Sequence, residues 1–317
     1  MSSPKVAWAT IDAKNAGQRI DNFLLGYFRK IPKSRIYRAI RSGEVRVNKG
    51  RIKPIYRLKE GDLVRIPPIT AESEHHHEVS PERQQRLENQ IIFEDDRLMV
   101  INKPSGLSSH SGSGDPIGVI ETIRASRQNQ PFLELAHRID KETSGVLILA
   151  KSRPALLEVQ QAMQSAATLK QYTLMVKGHW KARDQVVRHA LEKGDDFGMG
   201  KMRVDEGGQS AETIFSTIQL FQEHLTLLNA QIGTGRTHQI RVHAQEEGFP
   251  IVGDKRYGDF AHNRVVAEQG LQRMFLHASN LRLKMPVSGQ NYEFSAPIAV
   301  ELQKWQAQLT PVSTAHT

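Results

Sequence analysis

The sequence predicts an α+β protein made of two unequal parts joined by a polar segment. Positive charge is concentrated near the N-terminus, a polar stretch follows it, and the rest of the chain shows strand-like apolar runs with few helices. That last pattern is typical of a mixed, mostly antiparallel sheet. We expect four parts: an N-terminal extension at residues 1–17, a small helix-plus-strand module at 18–68, a linker at 69–90 and a larger domain at 91–317.

The charge distribution favours a polyanionic partner. The chain carries a net charge of +9. Residues 18–66 hold 14 Lys and Arg against 4 Asp and Glu, a net of +10, so the remaining residues sum to −1. A scattered, solvated surface would not concentrate the charge in this way, whereas a compact basic module is suited to nucleic acid.

The basic segment predicts two helices and a few short strands. Gln18–Lys30 places its apolar residues on one helical stripe and is broken by Pro32. A second helix begins with the capping residue Ser34 and stops at Gly43. The strand-like runs E-V-R-V-N-K-G-R-I-K and G-D-L-V-R-I-P-P follow. We expect four cations on the second helix to contact RNA: Lys33, Arg35, Arg38 and Arg41.

The segment at 69–90 is predicted to be a linker, because it is polar, charged and without apolar period. It contains three adjacent histidines at 75–77. Adjacent histidines in a polar linker point in different directions and lack supporting ligands, so the pattern argues against a metal site there.

From Ile91 onward the pattern predicts strands with interspersed helices. Two strands flank a D-D turn in I-I-F-E-D-D-R-L-M-V-I-N-K-P, and two more flank the polar loop of L-E-L-A-H-R-I-D-K-E-T-S-G-V-L-I-L-A-K. Further strands lie between the predicted helices, which are Ile117–Ala125, Pro154–Ala166, Thr237–Glu247 and Pro297–Leu309.

Three motifs could carry chemistry. Asp140 stands where an apolar strand meets the polar loop of H-R-I-D-K-E-T-S-G, although a capping aspartate in an ordinary turn would look the same. Arg236 in G-T-G-R-T-H-Q-I-R-V-H could keep a pocket carboxylate ionised, or could contact RNA phosphates from a basic helix. Tyr172 in K-Q-Y-T-L-M-V-K-G could offer a ring for a flipped base, or could be a core tyrosine.

Several classes of protein are disfavoured. The chain has no cysteine, which removes disulfides and thiolate chemistry and fits a reducing cytoplasm. It has neither an apolar signal core at the N-terminus nor a run near the ~18 apolar residues of a membrane span. The kinase-like H-R-I-D has Gly145 where a kinase needs asparagine, and H-E-x-x-H and G-x-S-x-G are missing.

Six motifs in register resemble those of the RluA-type pseudouridine synthases. They are N-K-P-S-G, H-R-I-D-K-E-T-S-G, K-Q-Y-T-L-M-V-K-G, G-T-G-R-T-H-Q-I-R-V-H, D-K-R-Y-G and F-L-H-A. The basic segment is similar to the S-four-type RNA-binding module through R-I-D-N-F-L, R-S-G-E-V-R-V-N and K-E-G-D-L-V-R-I-P. The chain departs from the family at Ile139, where leucine is usual, and in the serine-rich run after N-K-P-S-G.

The resemblance implies a pseudouridine synthase fold and the isomerisation of specific uridines in 23S ribosomal RNA. It implies that Asp140 is the essential carboxylate, that Arg236 pairs with it, and that Tyr172 stacks on the flipped uracil. Arg138 would fill the gap left by that nucleotide, and Lys103 would also contact RNA. This chemistry needs no metal or other cofactor, and we expect a monomer in the cytoplasm that does not engage membranes.

Two alternatives remain open from the sequence. A synthase of this type could act on transfer RNA or another structured RNA. A non-catalytic RNA-binding or ribosome-assembly protein could also keep the fold, and would still meet its cellular role after an Asp140→Asn change.

Overall fold

The chain divides into two compact units, residues 1–78 and 79–317. The computed structural model describes residues 6–28, 31, 33–69, 79–111, 115–194 and 201–313, without the side chains of residues 33 and 34. The three histidines at 75–77, where the sequence argues against a metal site, lie outside the described residues.

The described residues of the first unit form a three-stranded antiparallel sheet with two helices. Its sheet has the order β1-β3-β2. Apolar residues of both helices, including Ile20, Leu24, Ile36 and Ile40, are buried in a core shared with the sheet. The elements are β1 (Ala7–Thr10), α1 (Ile20–Tyr27), α2 (Lys33–Ser42), β2 (Arg46–Val47) and β3 (Leu63–Ile66).

The sequence placed residues 1–17 outside this module, and the structure differs there. β1 pairs antiparallel with β3 over four residues, from Ala7 opposite Ile66 to Thr10 opposite Leu63. The run A-W-A-T is too short and too weakly patterned to predict a strand. Its pairing partner also lies more than fifty residues further along the chain.

The second unit is built on one large sheet flanked by helices. Its first half contains α3 (Pro81–Glu88), β4 (Ile91–Glu94), β5 (Leu98–Lys103), α4 (Val119–Ser126), β6 (Glu134–Leu135), β7 (Ser144–Ala150), α5 (Arg153–Ala162), β8 (Leu169–Lys177) and β9 (Asp184–Arg188). Its second half contains β10 (Leu191–Lys193), β11 (Met202–Val204), β12 (Glu212–Phe221), β13 (Leu225–Ile232), α6 (Gln239–Glu246), α7 (Phe260–Glu268), β14 (Leu276–Lys284), β15 (Asn291–Ser295) and α8 (Val300–Gln306).

The topology confirms the predicted mixed, mostly antiparallel sheet. Among the described residues the large sheet has ten strands in the order β4-β5-β7-β14-β8-β13-β12-β9, with β15 beside β14 and β6 beside β7. Of the strand pairs that the described residues form in this sheet, only β7–β14 is parallel. A separate hairpin is formed by β10 and β11.

Strand β7 lies inside the large sheet, between β5 and β14, and all seven of its residues are buried. Val146 and Ile148 pack on the α5 side, whereas Leu147 and Leu149 pack on the α4 side. Because both faces are covered, the strand is a nearly continuous apolar run. It forms a rigid support for the polar loop that precedes it.

Two helices were not predicted. Helix α3 lies inside the predicted linker, where Ser80 accepts a hydrogen bond from the Arg83 amide and Pro81 opens the first turn. Helix α7 is capped by Asp259, which accepts from the amides of two residues in its first turn. Both sequences carry start signals, but neither shows a strong helical period: α3 has few apolar residues, and in α7 a single apolar residue, Val266, is buried.

Candidate active site

The loop between β6 and β7 presents Asp140 at the edge of the sheet. The Asp140 side chain is 26% exposed. Its backbone carbonyl accepts from the Thr143 amide at 3.1 Å, which closes a turn just before β7. Gly145 follows with φ of +113°, and a Cβ there would collide with the backbone of Ala278 in β14. The glycine therefore lets two central strands approach closely behind the loop.

The guanidinium that bonds Asp140 belongs to Arg241. Its Nη1 donates to Asp140 Oδ2 at 3.1 Å. The predicted pairing of Asp140 with Arg236 is wrong: Arg236 is exposed, and its Nε donates to the carbonyl of Ser210 at 3.3 Å. Arg236 belongs to the loop before α6, whereas Arg241 projects from the first turns of that helix. Both arginines lie in the same motif, so the motif located the cation to within five residues.

Arg241 is itself fixed by a buried carboxylate in the D-K-R-Y-G motif. Its Nε and Nη2 donate to the two oxygens of Asp254 at 2.7 and 2.9 Å, and Asp254 is fully buried. Burial alone would raise the pKa of Asp254, but Arg241 outweighs burial and holds this pKa below its ordinary value. A two-pronged pair of this kind sets the guanidinium plane and leaves Nη1 directed at Asp140.

The contacts of Asp140 are asymmetric. Arg241 donates to Oδ2, and Nε2 of His238 lies 3.8 Å from the same oxygen. Oδ2 of the carboxylate is therefore anchored, while the side chain as a whole stays partly exposed at the cavity.

A narrow slot of about 80 Å³ adjoins Asp140. Tyr172 in β8 contributes to its wall and lies opposite Ala230 in β13. Burial raises the pKa of Tyr172, and the Asp140 charge adds to this shift, so the hydroxyl stays protonated at neutral pH. The slot shares Arg138, Asp140 and Arg236 with a wider recess of about 380 Å³. The structure thus brings these three predicted site residues and Tyr172 to one cavity.

Lys103 does not face solvent, and its prediction as an RNA contact is wrong. The side chain is fully buried, and burial lowers its pKa to about 7. A lysine at the end of a predicted strand looks exposed in the sequence, because the sequence does not show that the segment after it and the loop at Lys141 fold over its side chain. Its Nζ donates to the backbone carbonyls of Pro104, Leu107 and Lys141 at 2.9, 2.7 and 3.0 Å.

The N-K-P-S-G motif instead holds the Asp140 loop in place. Besides the Lys103 bond to the Lys141 carbonyl, the Gly106 amide donates to the same carbonyl at 2.9 Å. Ser105 Oγ donates to the carbonyl of Glu142 at 2.7 Å. Two carbonyls directly after Asp140 are thereby fixed by one short segment, so the position of the carboxylate depends on this motif.

His137 is also a structural residue of the loop. Its Nε2 accepts the amide proton of Ile148 at 3.1 Å, which requires an unprotonated nitrogen there. Burial lowers the pKa of His137 to about 4, which keeps the ring neutral. The H-R-I-D motif therefore combines an anchor, an exposed arginine and the carboxylate.

The remaining predicted RNA contacts lie on α2 of the first unit. Arg38 and Arg41 are exposed. Arg35 is partly buried and pairs with Glu44 at 3.0 Å. Lys33 begins α2, and its side chain lies outside the described residues. These positions are compatible with a basic surface on one helix.

Two further searches concern the described residues alone. They contain no group of three or more histidine, aspartate or glutamate side chains placed to hold a metal ion. None of their helices combines the length and apolar character needed to cross a bilayer.

Comparison with known families gives two matches. A model described as RNA pseudouridylate synthase matches residues 97–246, and a model described as S4 domain matches residues 18–64. The first range includes the Asp140 loop, Tyr172 and Arg241. The second coincides with the basic module.

Comparison with individual proteins extends the match to nearly the whole chain. A Vibrio parahaemolyticus protein named ribosomal large subunit pseudouridine synthase C is 46% identical to this chain over 95% of both chains. A Pasteurella multocida protein of the same name is 44% identical over 94% of this chain and 92% of that one. Human RNA pseudouridylate synthase domain containing 4 has a similar fold, with a TM-score of 0.59 and 25% identity over 71% of this chain and 95% of that chain.

The fold is also shared with human RNA pseudouridylate synthase domain containing 1, with a TM-score of 0.61 and 22% identity over 75% of this chain and 94% of that chain. The alignments to the two bacterial proteins extend over nearly the whole chain and include all six motifs and the basic module. The chain therefore belongs to the RluA-type family of RNA pseudouridine synthases.

Proposed function

We propose that the chain converts uridines of large-subunit (23S) ribosomal RNA to pseudouridine, with Asp140 as the essential carboxylate. The observation that carries the proposal is the anchored carboxylate itself, bonded through Oδ2 by Arg241 and 26% exposed beside the Tyr172 slot. The choice of RNA is supported by the names of the relatives, which are similar over nearly their whole length.

In the proposed reaction the base leaves ribose at nitrogen 1, turns within the slot and rejoins through carbon 5. Carbon 5 loses a proton and nitrogen 1 gains one, so substrate and product are isomers. The Asp140 carboxylate is the group that would act on the nucleotide, while Arg241 holds its Oδ2 in place. The ring of Tyr172 would support the face of the uracil.

The target uridine must first leave its stack, at a cost of roughly a few kcal/mol. The exposed Arg138 and Arg236 at the wider recess are placed to occupy the vacated position and to contact the flanking phosphates. Exposed cations of the first unit, such as Arg38 and Arg41, would add sequence-independent affinity for RNA. In this proposal the protein acts as a monomer in the cytoplasm.

The test is to incubate the purified protein with unmodified 23S ribosomal RNA and, separately, with unmodified transfer RNA, and to map new pseudouridines. Asp140→Ala serves as the control for contaminating activity. Site-specific pseudouridine in the ribosomal RNA alone is the expected result. Product only in transfer RNA would overturn the proposed target, and no product in either RNA would overturn the proposed activity.

A further inference from the structure

His238 adopts a backbone conformation that is unusual for a residue other than glycine. Its φ and ψ are 55° and 18°, in the left-handed region, directly before α6. Such a conformation typically costs on the order of 1–3 kcal/mol and persists where surrounding contacts fix it. Here the imidazole is held between two partners, with Nδ1 at 2.9 Å from the Tyr257 hydroxyl and Nε2 at 3.8 Å from Asp140 Oδ2.

The hydrogen bonds of Tyr257 define which nitrogen of His238 carries the proton. The amide of Met202 donates to the Tyr257 hydroxyl oxygen at 2.8 Å. The hydroxyl proton then needs an acceptor, and in the described part of the chain that acceptor is Nδ1 of His238. Since Nδ1 accepts, a neutral imidazole carries its proton on Nε2, the nitrogen nearest Asp140.

The charges around the imidazole favour its neutral form. Burial lowers the pKa of His238, and the cations of Arg241 and Arg256 lower it further, while Asp140 and Asp254 act in the opposite direction. The net shift is downward, so the ring is uncharged near neutral pH. A third cation stands beside Tyr257, since Lys201 Nζ lies 5.6 Å from the centre of its ring.

We propose that His238 is a positioning residue for Asp140, and that Tyr257 and the β10–β11 hairpin fix its tautomer. In this arrangement Nε2–H and Arg241 Nη1–H both address Oδ2, which fixes the orientation of the carboxylate at the slot. A separation of 3.8 Å is longer than a hydrogen bond. The contact is therefore electrostatic, and the proposal expects it to shorten to a hydrogen bond when a nucleotide binds, as catalytic contacts commonly do.

The β10–β11 hairpin contacts Tyr257 through packing as well as through the Met202 amide. Met202 and Val204 of β11 pack against the buried residues Val242 of α6 and Tyr257. The register of the hairpin therefore determines where the Met202 amide points. RNA that contacts the hairpin would act on Asp140 through the tautomer of His238.

The first test reads the tautomer without any need for activity. Protein with ¹⁵N-labelled histidine is examined by two-bond ¹H–¹⁵N correlation at neutral pH, and the His238 signals are assigned by their loss in His238→Gln. The Nε2–H tautomer is expected in the wild type. Tyr257→Phe should give a mixture of tautomers, because Nδ1 loses its donor.

The matched control is Tyr292→Phe, which removes the β15 hydroxyl that donates to Asp95 Oδ2 at 2.8 Å and leaves the Tyr257–His238 hydrogen bond intact. It should leave the His238 spectrum unchanged. An Nδ1–H tautomer in the wild type, or an unaltered tautomer in Tyr257→Phe, would overturn the proposal.

The second test rests on the proposed function and reads catalysis. Tyr257→Phe should lower kcat about five- to tenfold, the effect of one neutral hydrogen bond, with KM little changed. His238→Gln, which keeps an N–H donor near Nε2, should retain more activity than His238→Leu. Equal activity in these two variants would contradict the positioning role. An inactive wild type would refute the proposed function, while the tautomer would still be readable.

Discussion

Replacing Arg241 with glutamine separates the roles of the two arginines in the G-T-G-R-T-H-Q-I-R-V-H motif, and Arg236→Gln is the matched control. Arg241 is 6% exposed and bonds the fully buried Asp254 through two nitrogens. Removing one partner of a buried ion pair costs about 3–5 kcal/mol. Asp254 keeps two backbone donors, the amides of Arg256 and Tyr257, so we expect about 3 kcal/mol. Arg236 is exposed, and its replacement should change stability by no more than about 0.5 kcal/mol.

The same pair of variants should differ in catalysis. Arg241→Gln also removes the charged hydrogen bond to Asp140, and such bonds contribute about 1.5–3 kcal/mol. The single-turnover rate constant should therefore fall roughly 10- to 150-fold. Arg236→Gln should mainly weaken RNA binding. Arg241→Lys keeps the charge but loses the two-pronged geometry, and should lie between wild type and Arg241→Gln.

The assay combines urea unfolding with single-turnover pseudouridine formation at saturating enzyme. The reasoning is refuted if Arg236→Gln, at unchanged stability, loses as much of the rate constant as Arg241→Gln. It is equally refuted if Arg241→Gln unfolds at the wild-type urea concentration and reacts at the wild-type rate.

Three further predictions address the scaffold and RNA binding. Gly145→Ala should destabilise the protein by about 3 kcal/mol or more in urea unfolding, because φ is +113° and the new Cβ meets the Ala278 backbone; wild-type stability would contradict the account. His243 is fully buried with its pKa lowered by burial to about 4, below the unfolded value near 6.5, so stability should fall by up to about 3 kcal/mol between pH 6.5 and 4. This loss of stability on acidification should be smaller in His243→Gln. A pH profile of stability identical to that of the wild type would contradict the assignment to His243. Arg38→Ala and Arg41→Ala should each reduce the slope of log K against log salt by about 1, whereas an unchanged slope would remove that residue from the RNA surface.

Local pattern accounts for the parts of the fold that were predicted well. The two strands around the D-D turn, observed at Ile91–Glu94 and Leu98–Lys103, were predicted because period and turn residues lie close together in the sequence. The helix at Arg153–Ala162 has an N-cap serine and an early proline, which are also local signals. Asp140 was found for the same reason, since a strand end and a polar loop adjoin in one motif.

Long-range pairing accounts for what was missed. Choosing between Arg236 and Arg241 required knowing that Asp254, thirteen residues beyond Arg241, is buried beside the helix. A signal was nevertheless present: His238 and Arg241 are three residues apart, and in the predicted helix this spacing places them on one face. The burial of Lys103 left no such signal, because its acceptors are backbone carbonyls that any sequence would supply.

The central claim is that the Asp140 carboxylate performs the chemistry, and Asp140→Asn tests it most directly. This change keeps the shape of the side chain and removes its charge. Pseudouridine formation is measured in a single turnover at saturating enzyme, with RNA affinity measured in parallel. The account predicts RNA affinity close to that of the wild type and no product above background. Product formation at a rate near that of the wild type would contradict it.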